Sequence, residues 1–159
     1  MLAAGAEAPN FTLDALSGEK RSLADILARG PALLALFKIS CPTCQMTMPF
    51  LERISNGVLQ VTGALQVIGV SQDDERGTAR FQAAFNLTIP LLLDRERDGY
   101  TVSNAFGITH VPALFLVEQN GTVSLASLGF SHADLDAVGK RAGVETFRPD
   151  EKVPEWKAG

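Results

Sequence analysis

"ALFKISCPTCQMTMPFL", residues 35–51, holds both cysteines of a 159-residue chain. Cys41 and Cys44 are separated by Pro42 and Thr43. An apolar run, "PALLALF" (31–37), leads into the pair, as expected for a strand covered on both faces. The segment after Cys41 reads as a helix to about Gly57, with Met46, Phe50, Leu51 and Ile54 on one face. Pro49 inside it removes a backbone donor and should kink it.

Three readings of the pair compete. A structural disulfide closing so small a loop contributes at most about 2 kcal/mol by chain entropy. A structural zinc site needs four ligands, and His110 and His132 stand alone, without ligand spacing. A redox centre needs two adjacent thiols, one of them partly ionised. A strand running into Cys41 and a helix starting there put that sulfur where unpaired N–H groups and the helix dipole stabilise a thiolate. Pro42 suits a first helical turn, and Cys44 follows nearly one turn later as the natural resolving thiol. The residues favour redox chemistry.

The rest of the chain alternates short apolar runs with amphipathic stretches, a pattern of one α/β domain. "NFTL" and "KRSL" read as extended pieces around "LSGE", and "SLADILARG" as a short helix capped by Ser22. "ALQVIGVS" (64–71) and "IPLLLD" are strands, separated by the helix "DDERGTARFQAAFN" with Asp73 or Asp74 near its start. "YTVSNAFG" is a helical turn. "PALFLV" and "TVSLAS" form a hairpin around Asn120-Gly121. "SHADLDAVGKRAG" is a last helix, capped by Ser131 and closed by Gly143. Residues 1–145 form the domain. Residues 146–159 form an irregular tail that Phe147 and Trp156 could pin to it.

Composition excludes some functions. Net charge is −4 and the 14 Lys and Arg are scattered, which argues against a nucleic-acid surface. No apolar run approaches a membrane span. The start, "MLAAGAEAPNF", lacks the basic segment and apolar core of a secretory signal. As it stands the chain reads as cytoplasmic. Were a signal or anchor removed it would be periplasmic or otherwise extracytoplasmic, so compartment stays open.

From about Gly5 to Gly143 the chain resembles the thioredoxin superfamily. More closely it resembles the branch holding thiol–disulfide oxidoreductases of the TlpA/ResA kind and AhpC/TSA redoxin domains. "GAEAPNFTLDALSGEKRSL" resembles that branch's N-terminal hairpin, "PALLALFKISCPTC" its central strand and active-site turn, and Pro49 its helix proline. "VIGVSQDD" and "IPLLLD" resemble its inserted segment, and "AFGITHVPALFLVEQNGTV" its cis-proline loop and hairpin. The resemblance implies a thioredoxin-like α/β fold: a central mixed β-sheet flanked by helices, with an N-terminal β-hairpin and an inserted α–β segment. It implies that Val111–Pro112 is cis beside the disulfide, leaving the Val111 backbone to pair with an extended substrate strand. It implies exchange with protein disulfides or dithiols, an upstream thiol reductant or oxidant, and no cofactor beyond a redox-active Cys41–Cys44 disulfide.

Departures accompany the likeness. Ser40 stands where an aromatic residue usually precedes the first cysteine. Ala35 and Thr47 stand where relatives place carboxylates. Lys38 is then the ionisable residue beside the pair, able to favour a Cys41 thiolate by Coulomb attraction or simply to reach solvent. Ser40 and Thr43 could hydrogen-bond a thiolate or be plain turn residues. His110, two before Pro112, reads as a loop residue with a possible general-acid role, and His132 as having no chemistry. Phe37, Phe81, Phe85, Phe106 and Phe115 read as core. A peroxidase of the peroxiredoxin kind would need Thr or Ser three residues before its reactive cysteine; Lys38 and Cys41 occupy those places. A non-catalytic module, holding copper(I) between thiolates or binding a partner through Trp156, is the remaining alternative.

Overall fold

The computed structural model describes residues 1–59 and 61–159. The central strand β3 (Ala32–Phe37) is buried along its whole length, as its unbroken apolar run requires. It pairs in parallel with β4 (Gln66–Ser71), which pairs in parallel with β5 (Leu91–Leu93). On its other edge it meets β6 (Ala113–Val117) antiparallel, and β6 turns back into β7 (Val123–Leu128). The N-terminal hairpin, β1 (Thr12–Ala15) and β2 (Lys20–Ser22), extends the sheet beyond β5. The seven strands run in the order β2-β1-β5-β4-β3-β6-β7. The mixed sheet and inserted segment are as the resemblance implies.

Alternation along β3 builds two cores. Ala32, Leu34 and Leu36 face one side, with α1 (Leu23–Leu27) and α4 (Thr101–Ala105) packed there through Ile26, Leu27 and Val102. Leu33, Ala35 and Phe37 face the other. There they meet α2 (Pro42–Gly57), α3 (Glu75–Ala84) and α5 (His132–Ala142). Phe37, Phe106 and Phe115 are fully buried; Phe81 is buried against Phe37 and Phe85, the last half-buried.

Helix starts follow short polar side chains. Ser22 accepts the Asp25 N–H at 3.1 Å, Asp74 that of Gly77 at 2.8 Å, and Ser131 that of Asp134 at 3.2 Å. Gly143 closes α5 with a left-handed φ of 74°. Buried Asp94 takes the N–H groups of Val102 and Ser103 at the start of α4, at 3.0 and 2.7 Å. Arg95, just after it, holds Asp14, Glu75 and Asp98 together, tying β1 to α3.

The apolar face of α2 and the tail depart from expectation. The buried face of α2 is Cys44, Thr47, Met48, Leu51 and Ile54, whereas Met46 and Phe50 are half-buried at its border. The helix runs on through Pro49 to Gly57 as one element. The tail is not wholly irregular. Trp156–Lys157 form a strand, β9, paired antiparallel with β8 (Phe130–Ser131). Phe147 packs on Phe50 and Phe130 and stacks on His132, ring centroids 4.2 Å apart. Arg53 on α2 grips Glu151 with two hydrogen bonds, at 2.7 and 2.9 Å.

Candidate active site

β3 ends at Phe37, and four residues later the chain enters α2. Two contacts fix the turn between them. The Asp73 carboxylate accepts the Ile39 N–H at 2.8 Å, and the Gln45 amide donates to the Ile39 carbonyl at 2.9 Å. This delivers Cys41 to the N-cap of α2, with extended backbone at φ −83° and ψ 115°. Its sulfur accepts the backbone N–H of Cys44 at 3.1 Å. Sulfur thus takes the place that a Ser or Asp oxygen takes at the other helix starts, among donors that stabilise negative charge.

The two thiols differ in setting. Both are free; Cys41 is half-buried, whereas Cys44 has no exposed surface. Burial pushes the Cys44 thiol well above its ordinary range, because the charged form loses its hydration. The hydrogen bond to Cys41 and the charges of Cys41 and Asp73 act in the same direction, while the Lys38 backbone opposes them. The site therefore holds one accessible sulfur at a helix start and one proton-retaining sulfur beneath it.

The Val111–Pro112 bond is cis. The Val111 carbonyl accepts a long contact from the Cys41 sulfur, at 3.6 Å, so this loop lies against Cys41 although it stands 70 positions further along the chain. Pro112 is buried and Val111 half-buried. Pro42 is exposed in the first turn of α2, and Ser40 is exposed before it. Thr43 is 3% exposed, and its hydroxyl donates at 2.6 Å to the carbonyl of Ala158. Thr47 is buried and donates to the Thr43 carbonyl at 2.8 Å. Lys38 is exposed, with Nζ 5.9 Å from the centre of the Tyr100 ring. His110 is exposed and bonded to its neighbour Thr109 at 2.8 Å.

Two participants escaped sequence reasoning. Asp73 reads as a helix cap in the sequence, yet Asp74 is the cap and Asp73 turns to the cysteine loop. The clue is strand pairing: Ser71 stands opposite Phe37, so residues just past Ser71 meet residues just past Phe37. The other is the segment 156–159, read as part of an irregular tail but brought by β9 to Thr43. Among the described residues, no three His, Cys, Asp or Glu side chains gather as a metal site would require.

Residues 4–126 match the AhpC/TSA family. The thiol-disulfide oxidoreductase ResA of Geobacillus thermodenitrificans is 29% identical over 123 residues, which cover 77% of this chain and 67% of the relative. The chain thus spans about two thirds of that relative's length. A Mycobacterium tuberculosis protein assigned as a peroxiredoxin is 30% identical over 135 residues, 79% of this chain and 84% of that one. Among solved structures, the thioredoxin domain of a Bacteroides vulgatus thiol-disulfide oxidoreductase superposes with a TM-score of 0.77 at 24% identity, covering 89% of this chain and 99% of that domain. The family match and the shared fold agree: the chain belongs to the AhpC/TSA family and has a thioredoxin-like fold.

Proposed function

We propose that the chain exchanges disulfides with partner proteins through Cys41, with Cys44 as the resolving thiol. The observation that carries this reading is the unequal setting of the two sulfurs, one capping α2 at the surface and one buried beneath it. The Cys41 thiolate attacks a partner disulfide. A Cys41–partner S–S bond forms, the partner S–S bond breaks, and its second sulfur leaves as a thiolate. Cys44 then gives up its proton and attacks the Cys41 sulfur. The intramolecular disulfide forms, the partner leaves with both thiols reduced, and the chain is oxidised by two electrons. An upstream dithiol restores it; the same steps in reverse oxidise a partner dithiol.

Pro42, Ser40, Thr43 and the Val111–Pro112 loop surround Cys41 and would position the partner's backbone. Lys38 opens the turn, three residues before Cys41, and adds positive charge on that side. The pair needs no cofactor beyond its own disulfide, and among the described residues no helix is long and apolar enough to cross a membrane.

Reduction of a model protein disulfide, with dithiothreitol as the electron source, tests the reading. Wild type accelerates it and Cys41→Ser does not; equal rates for the two proteins contradict it. A thiol peroxidase is the second reading, favoured by the peroxiredoxin relative. This chain places Lys38 where that chemistry places Thr or Ser. Peroxide consumption, recycled by the same thiol, that outpaces disulfide reduction would reverse the order.

A further inference from the structure

Residues 156–159 lie against Thr43 and the Val111–Pro112 loop, the surroundings of Cys41. Trp156–Lys157 pair with Phe130–Ser131, and the His132 N–H adds a bond to the Glu155 carbonyl at 2.9 Å. The Trp156 indole N–H donates to the Leu128 carbonyl at 3.0 Å, although the residue is 58% exposed. Beyond this strand, the Ala158 carbonyl accepts the Thr43 hydroxyl, between the two cysteines. Gly159 then packs on Val111–Pro112. A Cβ added to it would overlap the Val111 carbonyl and approach Pro112 Cδ to 3.1 Å. That carbonyl is the one the Cys41 sulfur also touches.

We propose that residues 156–159 are an internal ligand of the exchange site, holding the place of an extended partner segment until they lift away. The proposal rests on the exchange reading above. Three features make the segment a good occupant. Its backbone, rather than its side chains, makes the contacts with Thr43 and the Val111 loop, as an added strand does. Its last two residues, Ala158 and Gly159, are the smallest available, allowing close approach to Val111. Gly129 performs the same service from below: a Cβ there would overlap the Lys157 carbonyl. Three features make it releasable. All four residues are exposed, the strand is two residues long, and its ring anchor stays in solvent. The upstream Arg53–Glu151 pair keeps the segment tethered nearby after release. The partner class that competes is an extended stretch of polypeptide with small side chains beside its disulfide.

The test measures how fast a bulky maleimide labels Cys41 in reduced full-length protein, comparing wild type with Trp156→Ala and Gly159→Val. Both positions are exposed, so neither variant threatens the core. A site open in a fraction of molecules reacts at that fraction of its free rate, so release of a segment docked in most of them gives about a fivefold gain. Hydrogen exchange at the His132 amide, whose partner is Glu155, rises in the same variants. Labelling rates within twofold of wild type in both variants overturn the proposal. Faster labelling in both, in a protein that reduces no protein disulfide, supports the occluding segment and overturns the exchange reading instead.

Discussion

The Cys41 sulfur accepts the backbone N–H of Cys44 at 3.1 Å, while Cys44 itself has no exposed surface. One hydrogen bond thus links a half-buried sulfur at a helix start with a buried one held in its protonated form. The order of events in the proposed exchange rests on that difference, as do the expected reactivities of the two thiols.

Alkylation separates them. Near neutral pH, iodoacetamide adds one group to the reduced protein, at Cys41. Cys41→Ser is modified roughly 100-fold more slowly, because a buried thiol in apolar surroundings is inert. Peptide mapping after brief labelling checks this; comparable labelling of Cys44 contradicts it.

The raised Cys44 thiol makes resolution depend on pH. Below its ionisation, the thiolate fraction rises about tenfold per pH unit, and the decay of a Cys41 mixed disulfide accelerates with it. Quenched-flow measurement between pH 6 and 9 shows the slope. A flat profile means that Cys44 is already ionised in the intermediate.

The same shift governs stability of the reduced protein. A group whose ionisation is raised by folding contributes stability that is present below its ordinary value, here 9.0, and is lost as pH rises beyond it. Reduced wild type therefore loses stability above about pH 9 more steeply than Cys44→Ser. Denaturant midpoints at pH 8 and 10 report the difference.

Glu151 acts in the acid range. The Arg53 guanidinium, aided by the Arg148 N–H, holds its carboxyl at about 2, down from 4.5. A lowered carboxylate contributes stability above 4.5 that is lost as pH falls toward 2. Docking of the segment after Phe147 thus weakens below pH 4.5, read as rising hydrogen exchange at the Glu151 and His132 amides. Glu151→Gln shows that exchange already at neutral pH.

In the core, Leu51 is fully buried between α2 and the sheet. Leu51→Ala costs about 2–5 kcal/mol, measured by denaturant unfolding of the reduced protein. A smaller loss would mean that the α2 face packs more loosely than its burial indicates.

Much of this architecture was legible from residue pattern. β3 announced itself as an unbroken apolar run, and Ser22, Ser131 and Gly143 marked helix ends by side-chain chemistry that acts locally. Cys41 and Cys44 stood out because strand, proline and helix start converge on them. What stayed hidden depends on contacts between distant segments. Asp73 and Asp74 are neighbours in the chain, and only the β3–β4 pairing decides which caps α3 and which reaches Ile39. Met46 and Phe50 share an apolar face with Leu51 by periodicity, but α5 and the tail set where burial ends. No local signal in "EWKAG" tells that Ala158 meets Thr43; that contact follows from the pairing of β8 with β9.

The central claim is nucleophilic attack by Cys41, and the trapping of covalent intermediates tests it most directly. Reduced Cys44→Ser, incubated with a disulfide-bonded protein substrate, should form a mixed disulfide that maps by mass spectrometry to Cys41 and persists. Cys41→Ser should trap none. An adduct on Cys44 instead, or the absence of any adduct on Cys41, would contradict the account.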